Sequence, residues 1–253
     1  MFSLTRHCLQ STLDRIFSKE RNFMLKYQNI STSILEFLRR QIVSGKIQGG
    51  ERLIENKLSV ELGVSRPPLR ETFRILQNES LVKSTPRMGT FVTKLSGSDF
   101  NQICDLRIMV ECFAVQQLKN SGIRELPELK KIVETQNAIQ IPKKFIDDEQ
   151  KYTLFYKFSK FHLQLVESAG NSYLTHWYRG LSSNIARYQY LFFFQPGAIA
   201  KDLKDHTKML NLIKSGQLDE AEALLKAHLE YQRKKLMTTL SRVEKADMNA
   251  EGH

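Results

Sequence analysis

The segment from Leu53 to Thr93 constrains this chain most, because helix, turn and strand signals follow there in an order that few folds accept. Leu58, Leu62 and Val64 form a small apolar face on a first short helix. Gly63 falls where that helix must stop and the chain must turn back, a position that favours φ > 0. Ser65 has the chemistry of an N-cap, and Pro67 and Pro68 fall in the following first turn, where a missing N–H costs little. Leu69, Phe73 and Leu76 recur at three- and four-residue spacing and make a buried side, leaving Arg66, Arg70 and Arg74 on the rest of the helix. The stretch LVKSTPRMGTFV then reads as a two-stranded hairpin with a basic tip. This is the layout of a helix-turn-helix with a wing, whose second helix enters the DNA major groove with its N-terminal residues near base edges. The competing reading is a solvated basic helix on an ordinary core.

The strings ELGVSRPPLRETFRILQNESLV and PRMGTFV closely resemble the winged helix-turn-helix of the GntR superfamily of bacterial transcription regulators, over about Ser31 to Thr93. The turn glycine, Ser-Arg, Leu-Arg-Glu and the wing glycine all appear in order. The resemblance implies DNA contacts from Arg66, Arg70 and Gly89, within a set that takes in Asn56, Ser65, Pro67, Arg87 and Thr90. One departure matters. Many members carry Thr-Pro or Thr-Thr after the first arginine, whereas this chain has Pro67-Pro68, so a hydroxyl that could touch phosphate is lost.

The 253 residues leave room for one small and one medium core. The formal net charge is +11 and is unevenly spread: residues 1–95 carry 16 Lys+Arg against 8 Asp+Glu, and the remainder 22 against 19. The excess sits on the winged end, as phosphate binding requires. No apolar stretch approaches the roughly 18 residues that cross a membrane. Cys8, Cys104 and Cys112 lack metal-like spacing and read as small buried thiols in a reducing cytosol. Residues 1–27 precede the family match, lack the marks of a signal peptide, and read as a frayed extension, with Met24 an alternative start.

The expected organisation is mainly α. An extension (1–27) precedes a winged helix-turn-helix domain (28–95), an all-helical domain of six to seven helices (98–242) and a flexible tail (243–253). Ile34, Leu35, Leu38, Ile42 and Val43 mark the first winged-domain helix, over Ile30 to Ser44. Beyond the linker, with Ser96 or Ser98 as a cap, helices are expected over 99–120, from Pro127 to before Pro142, and over about 147–168, 173–194, 198–215 and 218–245. Asp219 and Glu220 suit the last helix's first turn.

Six helices after a winged helix resemble the FCD ligand-sensing domain of the FadR-type branch of that superfamily, over about Asp99 to Thr239. The anchors are DLRIMVE, with Arg107 and Glu111, then KFHLQLVESAGN and DHTKMLNLIKSGQLDEAEALLKAHL. The resemblance implies that His162, His206 and His228, from three helices, ligate a divalent metal together with an Asp four residues before the first. That spacing puts Asp and His on one helix face. Here the position holds Phe158. Three neutral imidazoles still suit Zn²⁺ with an open fourth position, although losing the carboxylate weakens the site. The alternative is three histidines in a polar cavity without metal. Arg107 can grip an effector carboxylate with two hydrogen bonds or pair with Glu111 four residues on. Phe158, Asn184 and Arg187 complete the candidate effector set. Tyr152, Phe155, Tyr156 and Phe161 read as core, and Trp177 as packing or interface.

The expected protein is a cytoplasmic, nucleoid-associated bacterial regulator, more often repressor than activator in this family. It pairs as a homodimer through the first and fourth helices of the helical domain, reads a palindromic operator, and responds to a small carboxylate-bearing effector. Two readings of other classes stay open. One is a metal-dependent hydrolase, against which stands the absence of a nucleophile motif. The other is a nonspecific architectural DNA binder, which would not need a helical sensor.

Overall fold

The computed structural model describes residues 30–251 except 143 and 146. Helix α1 covers residues 30–43 and is followed by β1 (Arg52–Leu53), α2 (Glu55–Leu62), α3 (Arg66–Asn78), β2 (Val82–Thr85) and β3 (Gly89–Val92). The three strands are antiparallel in the order β1-β3-β2, with Val82 opposite Val92, Thr85 opposite Gly89, and Arg52 opposite Phe91. The expected two-stranded hairpin thus has a third, short edge strand. β1 has only two residues, too few for alternation to show in the sequence. Ile34, Leu38, Ile42, Leu69, Phe73 and Leu76 pack with Leu53, Leu81, Val82 and Val92, and Leu58, Leu62 and Val64 close the edge of this core.

Gly63 ends α2 at φ 63°, the left-handed conformation its position demands. Ser65 sits at the N-cap of α3 but accepts no hydrogen bond there. A capping hydroxyl bonds the amides of the second or third helical residue. Those residues are Pro67 and Pro68, which have no N–H. The serine is therefore an N-cap by position only.

Six helices form the second unit: α4 (Gly97–Ser121), α5 (Pro127–Ala138), α6 (Asp148–Ser168), α7 (Ser172–Phe193), α8 (Ala198–Lys214) and α9 (Leu218–Glu251). Ser96, Asp147 and Asn171 cap α4, α6 and α7, each accepting a backbone N–H three residues on. Helix α9 outruns its expected end near Lys245, so the backbone through Glu251 is helical where a flexible tail was expected. Residues 242–251 contain neither Gly nor Pro and are rich in good helix formers. One core unites α4, α5, α6, α8 and α9 through Leu118, Leu129, Phe161, Leu165, Met209 and Leu225. A second packs Phe100, Val110, Tyr178, Tyr188 and Leu236. Cys104 and Cys112 are buried free thiols. The expected extension at residues 1–27, with Cys8, lies outside the described residues.

The two units share a seam. Val43 of α1 packs into a cluster with Leu154, Phe155, Phe158 and Phe193. Arg40 pairs with Glu149, and Lys46 with Asp148 at 3.6 Å. Arg187 donates to Thr93 Oγ1 at 3.0 Å, and Tyr188 OH donates to the Ser96 carbonyl at 3.3 Å. Among the described residues no helix is long and apolar enough to cross a membrane.

Candidate nucleic-acid interface and histidine chamber

Helix α3 buries Leu69, Thr72, Phe73 and Leu76 and turns its arginines outward. Asn56, Ser65, Arg66, Pro67, Arg70 and Arg87 are all exposed, and Gly89 and Thr90 are half-buried. Arg70 Nε donates to Glu55 Oε2 at 3.0 Å, so the first turn of α2 holds this arginine in place. Arg74 pairs along its own helix with Glu71.

At the wing tip Arg87 itself adopts φ 65°, a conformation uncommon for a residue with a Cβ. Gly89 follows at φ 111°, and a Cβ there would lie 2.8 Å from Arg52 Nε. The glycine thus lets the Arg52 guanidinium lie across the base of the wing, near the Phe91 ring at 5.9 Å. Arg52 and Glu55 escaped sequence reasoning, because pairing across the sheet and between helices brings them to Gly89 and Arg70.

The three histidines meet in the helical bundle. One ring nitrogen from each of His162 (α6), His206 (α8) and His228 (α9) lies within 4.8 Å of the others, and all three side chains are buried. Each Nδ1 has its own acceptor: His162 to Glu111 Oε2 at 2.7 Å, His206 to Gln136 Oε1 at 3.0 Å, and His228 to Asp205 Oδ2 at 2.9 Å. Carboxylates accept and do not donate, so His162 and His228 carry their protons on Nδ1. Gln136 gives its amide N–H groups to the carbonyls of Lys157 and Phe158, which leaves its oxygen to accept from His206. Each Nε2 therefore keeps its lone pair, the arrangement that metal-ligating histidines show. His206 Nε2 has no hydrogen-bond partner among the described residues.

Burial sets the electrostatics. It pushes His162 down to about 4, against the pull of Glu111, and it drives His206 well below its usual value with help from His162 and His228. Both rings are neutral at pH 7. Burial alone would raise the Glu111 carboxyl, but Arg107 and His162 beside it hold it well below the usual carboxylate range. Burial raises Asp202 to about 6, opposed by His228.

Arg107 pairs with Glu111 at 2.8 Å and donates to Gln232 Oε1 at 3.2 Å. The pairing alternative is thus the one realised, although Arg107 Nη2 is buried with no partner among the described residues. Arg187, expected at the effector, is instead buried at the seam against Thr93. Residue 187 falls on the face of α7 turned to the winged unit, and its spacing alone could not show that. Asn184 is half-buried on α7, outside both cavities near the triad. Phe158 is buried and lines the small chamber. Of the aromatic set, Phe155, Phe158 and Phe161 are core, while Tyr156 is half exposed.

Two cavities adjoin the triad. A chamber of about 10 Å³, the size of one water or ion, is lined by His162, His206, Asp202, Gln232 and Phe158. A larger cavity of about 380 Å³ shares only His162 with the triad. It runs between α6 and α7, past Tyr152, Phe155 and Lys160, to Arg39 and Val43 of α1. Sequence reasoning missed Gln136, Asp202 and Gln232. Asp202 and Gln232 did carry a signal, since each lies four residues from a histidine; Gln136 carried none.

Residues 30–92 match the family model "Bacterial regulatory proteins, gntR family", and residues 102–231 match the "FCD domain". The chain is 34% identical over 138 residues to the gluconate operon transcriptional repressor of Bacillus licheniformis, a match spanning 54% of this chain and 54% of that protein. It is 28% identical over 205 residues to the HTH-type transcriptional repressor RspR of Escherichia coli (strain K12), spanning 80% of this chain and 87% of that one. The solved structure of E. coli McbR/YncC has the same fold, with a TM-score of 0.64 at 19% identity, over 83% of this chain and 97% of that chain.

Proposed function

The chain belongs to the gntR family of bacterial regulatory proteins and carries an FCD domain, and from that premise we propose that it is a DNA-binding transcription regulator, acting as a repressor, whose operator affinity responds to a small anionic effector. The recognition surface is Arg66, Arg70 and the wing from Arg87 to Thr90, with Asn56, Ser65 and Pro67 beside them. The effector is a carboxylate with an apolar body, suited to the aromatic walls of the larger cavity and to Lys160 within it. The observation that carries this reading is that one cavity is lined both by His162 of the triad and by Arg39 and Val43 of the winged unit. A ligand there touches both units, so its affinity depends on how they are arranged, which is what coupling to DNA requires.

The chamber fits a divalent cation, Zn²⁺ being the first choice for imidazole donors. His162 and His206 line the chamber as neutral rings, the Nδ1 atoms of all three histidines are anchored, and His206 Nε2 is buried without a partner among the described residues. His162, His206 and His228 would hold the ion, which would supply positive charge beside the effector's carboxylate. Glu111, Gln136 and Asp205 orient the rings and fix their tautomers.

The chain acts as a homodimer on a palindrome, since two-fold symmetry in the protein is mirrored in its half-sites. Met109 and Phe113 on α4 and Tyr173 and Trp177 on α7 are large apolar side chains left exposed on the two helices expected to pair. Sedimentation showing a monomer at micromolar concentration would count against this.

The deciding experiment combines His206→Ala with His228→Ala. The double variant should lose metal and lose effector-driven release of an operator selected in vitro, while its DNA affinity without effector holds. Full effector response in that variant would make the chamber structural and place sensing elsewhere.

A further inference from the structure

The three acidic groups around the triad do different things. Glu111 and Asp205 meet Nδ1 atoms, on the outer side of the rings. Asp202 stands on the other side: its Oδ1 is 3.9 Å from His228 Nε2, and its side chain lines the small chamber together with His162 and His206. Asp202 precedes His206 by four residues on α8, as position 158 precedes His162 on α6, and that spacing sets each pair on one helix face. Both Asp202 and Phe158 line the chamber.

We infer that Asp202 is the acidic ligand of the metal centre in this protein, supplying from α8 the carboxylate that Phe158 withholds on α6. The inference rests on the metal reading above. Asp202 is buried and poorly satisfied where it stands. Its hydrogen bond from Gln232 Nε2 is long at 3.5 Å, and Lys201 on the same helix goes to Asp205 instead. A carboxylate so placed is costly unless a cation meets it. The same Gln232 amide donates to His228 Nε2 at 3.0 Å, so one N–H₂ group bridges an imidazole lone pair and a carboxylate. A divalent cation satisfies both groups more strongly than an amide does, and a turn of the Gln232 side chain releases both to it. Across the chamber His206 Nε2 is buried with no partner among the described residues. With Asp202 ionised the centre carries a net +1 rather than +2. The lost carboxylate at 158 is then replaced rather than missing.

The test uses full-length protein stripped with EDTA and titrated with Zn²⁺ in competition with a chelator of known affinity. The wild type should bind one Zn²⁺ per chain, and His206→Ala should bind none. Asp202→Asn should lower affinity by about tenfold or more. Adding Phe158→Asp to Asp202→Asn should restore most of that loss, because the carboxylate returns on the neighbouring helix. Melting of each stripped variant checks that it folds. Should a variant not fold, a Zn²⁺-loaded wild-type crystal decides: an Asp202 oxygen about 2.0–2.2 Å from the ion supports the assignment, and a water in its place overturns it. If Asp202→Asn binds as tightly as the wild type while His206→Ala does not bind, Asp202 is no ligand and the His₃ site stands. If the wild type binds no Zn²⁺, the metal reading itself falls.

Discussion

Arg70 and Glu55 form an ion pair in the winged unit, and Arg107 and Glu111 form one in the helical unit. The first pair is open to water, with side chains 63% and 35% exposed; the second is sealed at 4% and 0%. An exposed pair is worth little and can be given up when DNA arrives. A sealed pair cannot be broken cheaply, because the partner left behind is a buried charge. The two units therefore use charge for opposite purposes. On α3 arginines stay available to an outside ligand, while in the chamber charged and polar groups hold three imidazoles in one orientation.

The largest effect should come from breaking the sealed pair. Glu111→Ala strands Arg107, His162 and Tyr178, all bonded to that carboxylate, and should destabilise the fold by about 3–5 kcal/mol in denaturant melts. A loss below about 1 kcal/mol would show that water reaches the chamber freely and that the contrast is overdrawn.

Acid should come next. In stripped protein the folded His162 titrates near 4 rather than the usual 6.5, so between those values the unfolded chain holds a proton the folded one lacks. Stability then falls as pH drops from about 6.5 towards 4, by on the order of 3 kcal/mol from this ring alone. Asp202, raised from 3.8 to about 6, works in the opposite sense and contributes stability as pH falls through 6. Removing that offset with Asp202→Asn should steepen the acid loss, read as Tm against pH. An unchanged slope would mean that Asp202 is charged in the folded state across this range.

On the exposed side Arg70→Ala should cost about 1–3 kcal/mol on an operator and much less on unrelated DNA, as loss of a guanine-edge contact does. Equal weakening on both would make Arg70 a phosphate contact. The smallest effect is expected from Glu55→Gln, which frees Arg70: stability should change by less than about 1 kcal/mol. A larger change would mean that the α2–α3 pair is a structural fixture like the one in the chamber.

Much of the winged unit was legible because its rules are local. Gly63 at the turn, Leu69, Phe73 and Leu76 at helical spacing, and the outward arginines each follow from a few neighbouring residues. Ser65 misled for an equally local reason: the two prolines after it remove the amides that its hydroxyl would have capped. The six helices of the second unit were legible from periodicity and breakers, and the three histidines from resemblance. Their use was not. Glu111 reaches His162 across 51 residues of sequence, and Gln136 reaches His206 across 70. Arg187 and Asn184 show the same limit, since α7 turns one to the seam and neither to the chamber.

The sequence by itself determined where helices start and stop, which faces are apolar, where positive charge accumulates, and that a winged helix precedes a helical domain. These follow from backbone conformational preference and burial, which act within a turn or two of chain. Only the tertiary structure decided which nitrogen of each imidazole faces inward, that Arg107 is already bound to Glu111, that the 380 Å³ cavity reaches α1, and that Asp202 faces the chamber that Phe158 closes. Those outcomes depend on how separate helices rotate against one another, and a buried polar group accepts whichever partner that packing brings within hydrogen-bond reach.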